Sequence, residues 1–536
     1  MKAPAPLAFA LLFSLALPAL SQAPLPHLTR RGAVTHLVVD GKPWLSLGGE
    51  LLNNAASTAG NVRGAWAGLA SLNLNTVLVG VGWNWTEPEE GRFDFSAVDE
   101  ALREARSRRL RVVLLWFGSW KNGTSSYAPA WVKRNWRKYP IARDRNGNGR
   151  EILSPLSTAN RDADARAYAA LLRHLREVDS ATRTVILVQL ENEVGLLGDS
   201  RDRCQEANSA FAAPVPTELM DYLRKNRDAL LPETRKLWDA AGGKASGAWE
   251  QVFGPGPGAD EAFMAWHYAR YMNHLAALGK KEYPLPVFVN AWLVQPQDKQ
   301  PGDYPSGGPQ AHNHDFWRAG APRVDILAPD IYLADFAGIG ALYSRGGNPL
   351  FIPETRAGAA NAFYAVGQLN AQMFSPFGIE RQPAAGPLAK AYAVLSQLAP
   401  VILEHQGTNT MRAVVVESGA ASQQIQLGDY VFDCAVRRGW NAGPSDAGRG
   451  YAILIQTAPD EFWAAGATLN IRFASMRAGT PLASLASVEE GAFENGAWVV
   501  GRYLAGDDTG MGGDDRASLR LPADPRILRF SLYSYR

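Results

Sequence analysis

Cysteine is nearly absent: Cys204 and Cys434 are the only two in 536 residues. That excludes a disulfide-stapled scaffold and any zinc site built from cysteine. Whether the two pair or remain free buried thiols is open at this level. Charge of one sign is equally scarce. Lys plus Arg number 54 against 52 Asp plus Glu, a formal net charge of +2. With no long basic block, a nucleic-acid partner has no electrostatic footing. Beyond the first twenty or so residues no long apolar run occurs, which excludes a multi-span membrane protein. Internal repeats, low-complexity tracts, an HExxH pair, a Gly-x-Ser-x-Gly elbow and a glycine-rich phosphate loop are all missing. Neither a metal nor an organic cofactor is implied.

What is present suits large cores: 46% hydrophobic and 20% charged residues, with 16 Trp, 17 Tyr and 20 Phe. Such a chain folds rather than staying disordered. Its start reads as an address. Lys2, the apolar stretch Leu7 to Leu17 and the small-residue site Ala19-Leu20-Ser21 form the three parts of a secretory signal peptide. Residues 1–21 are therefore expected to direct export to the periplasm or exterior, leaving a mature chain without membrane contact. An uncleaved anchor is the alternative, disfavoured by the short apolar core.

From about residue 45 to 400 apolar runs alternate with amphipathic or Ala-rich segments. The runs are Leu47-Gly48-Gly49, Asn75 to Val81, Arg111 to Phe117, Val185 to Leu190, Val287 to Trp292, Ile326 to Tyr332, Leu350 to Pro353 and Met373 to Ile379. Eight strand candidates in an unbroken βα series predict an α/β fold, a closed (β/α)8 TIM barrel rather than an open sheet. The long stretch Val194 to Pro286, with its Gly254-Pro255-Gly256-Pro257-Gly258 hinge, is an insertion after the fourth strand. Val34 to Leu45 reads as a strand pair around Asp40-Gly41. After residue 408 the helical period stops, and short alternating runs such as Tyr451 to Ile455 and Ile527 to Tyr533 predict an all-β sandwich. The expected division is a catalytic barrel over 22–405 and a C-terminal β-sandwich domain over 406–536.

Acids at the C-terminal ends of barrel strands are where this architecture keeps its catalysts. Gln189-Leu190-Glu191-Asn192-Glu193 ends the fourth run, and Ile352-Pro353-Glu354-Thr355-Arg356 ends the seventh. Strict alternation puts Glu191 and Glu193 on one face and Asn192 on the other, although a strand-end twist can bring 192 and 193 together. Two carboxyls facing each other across the mouth are what glycoside hydrolysis requires. The alternatives are solvated acids capping the following loop and a local Glu354–Arg356 ion pair. Tryptophans at or past strand ends (Trp83, Trp85, Trp116, Trp120 and Trp292) offer flat faces to sugar rings, though most tryptophans in a barrel only pack. Three other patterns carry no chemistry. Asp144 to Gly149 begins like a calcium loop but has Pro155 where a bidentate Glu is needed. His312-Asn313-His314 lies in a loop away from the first strand. Asn84 and Asn122 begin glycosylation sequons, which matter only in a eukaryotic secretory route.

The run Asn75-Thr76-Val77, Trp83-Asn84, Glu87-Pro88, Glu90-Gly91 and Phe93-Asp94-Phe95 resembles the early signature of glycoside hydrolase family 35, the β-galactosidases. Gly48-Gly49-Glu50, Pro129-Ala130-Trp131 and the Glu191-Asn192-Glu193 segment fall where that family has comparable motifs. The resemblance covers roughly residues 40 to 400; the trailing β module is similar to that of a bacterial branch. It implies a retaining (β/α)8 glycosidase with Glu193 as acid/base and Glu354 as nucleophile. Tyr332 is then the holder of the nucleophile, and Asn192, Glu50, Trp83 and Asn84 are substrate-binding residues, joined by Trp120 on the ground of its place at a strand end. Two departures concern the sugar: Gly80 stands where many members have Tyr, and Ser119-Trp120-Lys121-Asn122-Gly123 replaces a Cys-Ala-Glu-Trp segment. The function expected is an exported exo-β-galactosidase acting on oligo- or polysaccharides. Another retaining glycosidase of the clan is the runner-up, and a non-catalytic carbohydrate-binding barrel is the third reading.

Overall fold

A computed structural model of the chain describes residues 24–437, 448–509 and 518–536. The expected signal peptide lies outside these residues. Eight parallel strands form the central sheet: β1 (Ser46–Leu47), β2 (Thr76–Gly82), β3 (Arg111–Lys121), β4 (Val185–Asn192), β5 (Val287–Ala291), β6 (Ile326–Ile331), β7 (Phe351–Thr355) and β8 (Met373–Pro376). They bond in the order β1-β8-β7-β6-β5-β4-β3-β2. The two ends of that ladder meet. Leu78 N–H donates to the Gly49 carbonyl, and Leu51 N–H donates to the Leu78 carbonyl. The sheet thereby closes and keeps no free edge. Each apolar run of the sequence supplies one strand, so the predicted (β/α)8 barrel is the fold.

Side-chain alternation along β3 shows how the barrel fills. Val113, Leu115 and Phe117 join an interior cluster with Leu78, Phe288, Ala328, Phe351 and Met373. Val112, Leu114 and Trp116 instead join the layer between strands and helices. Leu37 and Val39 extend the interior cluster from the N-terminal side. They belong to an antiparallel sheet of His27–Arg31, Val34–Val39 and Lys42–Pro43. The sequence suggested only a pair here, because His27–Arg31 is a basic outer strand with no buried face to betray it.

The insertion after β4 carries five helices, ending in Pro257–Glu282, which packs against Thr158–Asp179 on the barrel wall. The last barrel helix, Pro387–His405, precedes the first strand of the β module, β9 (Met411–Val416). The module continues with β10 (Gln423–Leu427), β11 (Tyr430–Val436), β12 (Gly450–Ala458), β13 (Glu461–Ala467), β14 (Leu469–Ser475), β15 (Leu482–Glu494), β16 (Ala497–Tyr503), β17 (Leu519–Arg520) and β18 (Arg526–Tyr535). Two sheets result, β9-β12-β13-β18-β15-β16 and β10-β11-β14-β17. Val414, Phe432, Leu454, Phe462, Ile471 and Phe530 fill the space between them, as in a sandwich. Cys434 is part of that filling, whereas Cys204 caps the helix Gln205–Ala212 in the barrel. Both thiols are free and buried. Among the described residues no helix is long and apolar enough to cross a membrane.

Candidate active site

At the end of β4 the backbone departs from regular alternation. Glu191 and Glu193 both adopt left-handed conformations, with φ of 57° and 49°, uncommon for residues other than glycine. The turn sends the three polar side chains two ways. Glu191 faces the helix layer, where its Oε2 accepts the N–H groups of Gly118 and Trp120 at 3.1 and 2.7 Å. Asn192 and Glu193 face the mouth. Glu191 is wholly buried; burial first, and the neighbouring Asp164 second, hold its carboxyl well above the ordinary range. Glu191 thus braces the long irregularity in β3, where Trp116 opposes Leu190 but the next matched pair is Lys121 with Asn192.

Glu193 is 6% exposed. Its N–H donates to Oδ1 of Asn290 at 3.0 Å, and its Oε2 accepts from Nδ2 of Asn122 at 2.8 Å. Burial and the carboxylate of Glu354 push its carboxyl up to about 7, against the pull of Lys121. Across the mouth, β7 carries Glu354. Its Oε1 accepts the Tyr332 hydroxyl at 2.7 Å, while its Oε2 is buried with no protein donor. Burial, and then the negative charge of Glu354, hold the Tyr332 phenol in its neutral, donating form. Arg356 makes no ion pair with Glu354 in the structure. Tyr332 itself is 36% exposed at the rim.

Glu50 follows β1 and is bridged to Leu78 on one side and Phe377 on the other. It is buried, and burial together with Glu354 raises its carboxyl well above the usual range. Asn192 presents its amide in one orientation. Lys121 Nζ, which can only donate, bonds Oδ1 at 2.8 Å and leaves Nδ2 as a buried donor without a protein partner. Four residues that the sequence did not single out as site residues therefore complete the mouth: Lys121, Asn122, Asn290 and Asp330. Each lies within one residue of the C-terminal end of a strand, a signal legible in the sequence. The replaced segment after β3 is the source of the first two.

Two expected sugar platforms are corrected. Trp83 and Trp120 are each 0% exposed. Trp83 gives its indole N–H to Glu87 at 2.7 Å and meets Trp131 edge-on. Trp120 gives its own to the Leu153 carbonyl and meets Tyr268 and Tyr271. Both pack the wall, because each indole finds its polar partner inside the protein. Asn84 is exposed beyond β2, with its N–H on the Tyr127 carbonyl. Trp85, Tyr127 and Trp292 are half-buried aromatic rings beyond the strand ends, and Tyr332 is the more exposed one at the rim. The absence of a side chain at Gly80 has a packing reason: a Cβ there would lie 2.6 Å from the Phe117 ring and 2.9 Å from the Asn53 carbonyl. The calcium-like loop closes on itself, with Asp144 Oδ1 accepting from Asn146 and Asn148. His312 pairs with Glu261.

Residues 65–278 match a glycoside hydrolase family 42 model described as Beta-galactosidase, and residues 388–513 match a Domain of unknown function (DUF5597). The matched model is thus that of family 42, where the early motifs pointed to family 35. A beta-galactosidase of Xanthomonas manihotis is 30% identical over 265 residues, covering 46% of this chain and 40% of that protein. The match spans well under two thirds of that relative's length. Among solved structures, a beta-galactosidase from Bacillus circulans sp. alkalophilus is 15% identical, with a TM-score of 0.46 over 67% of this chain and 57% of its own. One from Rahnella sp. R3 is 18% identical, with a TM-score of 0.44 over the same two shares. Over residues 65–278, which hold β2 to β4 and most of the insertion after them, the chain is thus similar to β-galactosidases, and over most of its β module to a domain without an assigned role.

Proposed function

We propose that this protein is a retaining, exo-acting β-galactosidase that removes terminal β-galactosyl residues from oligo- or polysaccharides by double displacement. One observation carries the reading. Two carboxyls from strands far apart in sequence share the barrel mouth in different environments: Glu193 is buried and holds its proton to about pH 7, and Glu354 keeps a bare Oε2 while Tyr332 steadies Oε1. Opposed environments of this kind separate an acid from a nucleophile. In the first step Oε2 of Glu354 attacks the anomeric carbon while Glu193 protonates the departing glycosidic oxygen, giving a glycosyl ester and free aglycone. In the second, Glu193, now ionised, takes a proton from water, whose oxygen displaces the ester. The Nδ2 donor of Asn192 suits the sugar 2-hydroxyl, a contact that strengthens as the ring flattens.

The two glutamates and the similarity to β-galactosidases support the chemistry; the resemblance of the Trp83-Asn84 and Glu191-Asn192-Glu193 segments to family 35 is the ground for the finer family reading, beside a family 42 match over the same residues. Lys121 and Gly80, where that family holds galactose differently, favour a second reading in which the clan's chemistry acts on another β-linked sugar. A chromogenic panel differing at C4 and C2 separates the two. Export by residues 1–21 belongs to the proposal and is tested by cell fractionation. For the mechanism itself, a 2-fluoro galactoside with a good leaving group should leave a covalent adduct on Glu354, seen by peptide mass spectrometry. NMR of the first-formed sugar should show the β anomer; the α anomer would make the enzyme inverting and remove both role assignments.

A further inference from the structure

A third carboxyl lies between the two proposed catalytic ones. Asp330 is the last residue but one of β6, in register with Glu354 on the neighbouring strand β7. It is buried. Its Oδ2 accepts Nδ2 of Asn290 at 2.7 Å, and the same Asn290 receives the Glu193 N–H on its Oδ1. One short amide therefore fixes Asp330 relative to the backbone of Glu193. The other oxygen, Oδ1, is buried with no N–H or O–H to accept from, and the Asp330 carboxyl reaches the Glu193 side chain.

The charges around Asp330 come from every wall. Glu193 faces it from β4, Glu354 from β7 and Glu50 from beyond β1. Tyr332 and Tyr343 add neutral phenols, the latter bonded to the Pro309 carbonyl. Lys121, reaching Glu50 and Glu193, is the cation of the group. Four carboxyls around one ammonium, three of them buried and Glu354 partly so, cannot all be ionised. An ionised Asp330 would leave a bare oxygen buried beside the Glu354 carboxylate of the neighbouring strand and, each time Glu193 ionises, beside a second anion. A protonated Asp330 resolves both problems, since its O–H has an acceptor in Glu193 and its carbonyl oxygen keeps Asn290.

Resting on the function proposed above, we propose that Asp330 is a permanently neutral positioning acid, whose O–H donates to Glu193 and steadies that residue each time it ionises. No proton is consumed. When Glu193 gives its proton to the leaving oxygen, the Asp330 O–H shortens onto the new carboxylate; when Glu193 takes a proton from water, the contact relaxes. Asp330 keeps its own proton in both steps. Burial, followed by the charge of Glu354, holds the Asp330 carboxyl well above the usual range, in keeping with this role.

The test is the pH dependence of kcat/KM on a nitrophenyl galactoside. Asp330→Asn replaces an O–H donor with an N–H donor of the same shape and charge. It should stay within about fivefold of the parent, with the alkaline limb moved by less than about 0.3 pH unit. Asp330→Ala removes the donor and should move that limb upward by half a unit or more, with kcat falling tenfold or more. An alkaline limb that moves downward in Asp330→Asn overturns the proposal, because only an ionised Asp330 would have been raising Glu193. Limbs unmoved in both variants overturn it too. Should Asp330→Ala fail to fold, the infrared difference spectrum of the parent minus Asp330→Asn decides alone: a protonated carboxyl band lost at pH 8 supports the proposal, and a lost carboxylate band refutes it. Failure of the parent reading is seen separately, as failure of the fluoro sugar to label Glu354.

Discussion

Lys121 donates its ammonium to Oδ1 of Asn192 at 2.8 Å, across the gap between β3 and β4. The ammonium also lies over the Phe117 ring at 4.9 Å, so its direction is fixed from two sides. The bond does two things at once: it orients the Asn192 amide, and it brings a positive charge to the proposed acid/base.

Lys121→Met should therefore lose both effects. Without the cation the Glu193 carboxyl rises, so the alkaline limb of kcat/KM shifts to higher pH. With the Asn192 amide free to flip, kcat should fall by about 10- to 100-fold. Lys121→Arg should recover part of the pH position but less of the rate, since a planar guanidinium cannot reproduce the single Nζ contact. An alkaline limb unchanged in Lys121→Met would remove Lys121 from the electrostatics of the site.

The neighbouring acids should separate cleanly. Glu193→Ala should retain turnover only on substrates with good leaving groups, and azide should restore part of the rate. Glu191→Gln keeps an acceptor for the Gly118 and Trp120 N–H groups and should remain within a few-fold of the parent. If Glu191→Gln is the inactive variant and Glu193→Ala the active one, the acid/base has been assigned to the wrong glutamate.

Tyr332→Phe removes the donor to Glu354 while keeping the ring. Its loss should lower kcat by about 10- to 100-fold with little change in KM, because the contact matters most when Glu354 becomes a leaving carboxylate. A change confined to KM would make Tyr332 a substrate contact instead.

The raised carboxyl also sets a stability signature. Glu193 takes its proton off near 4.5 when unfolded but at about 7 in the native state. The native state thus binds the extra proton between those values, and stability falls as pH rises through that window, by about 3 kcal/mol for this group. Glu193→Gln removes the penalty. Its Tm should exceed the parent's at pH 8 and match or trail it at pH 4.5; equal differences at both pH values would contradict the linkage.

Trp83 should behave as a wall residue. Trp83→Ala should cost about 3–5 kcal/mol of stability, whereas Trp83→Phe should leave KM for a small galactoside unchanged. A KM raised several-fold by Trp83→Phe would return this ring to the sugar site.

Much of this protein follows from order along the chain. The alternation of apolar runs with amphipathic helices specifies a barrel, because each strand needs both faces covered and each helix needs one. Acids placed directly after the runs that end at Leu190 and Pro353 mark the mouth, because a parallel barrel brings all those ends to one side. What order along the chain leaves undecided is which way a side chain turns once regular alternation ends. Two left-handed residues at the end of β4 send Glu191 backward and Glu193 forward; indole N–H groups that meet Glu87 and the Leu153 carbonyl seal Trp83 and Trp120 into the wall. Lys121, Asn290 and Asp330 acquire their roles only through neighbours on other strands, 71 positions away for Lys121 and 40 for the Asn290–Asp330 pair. Proton affinities in the mouth belong to the same class, since they arise from charges that only the closed barrel brings within reach of one another.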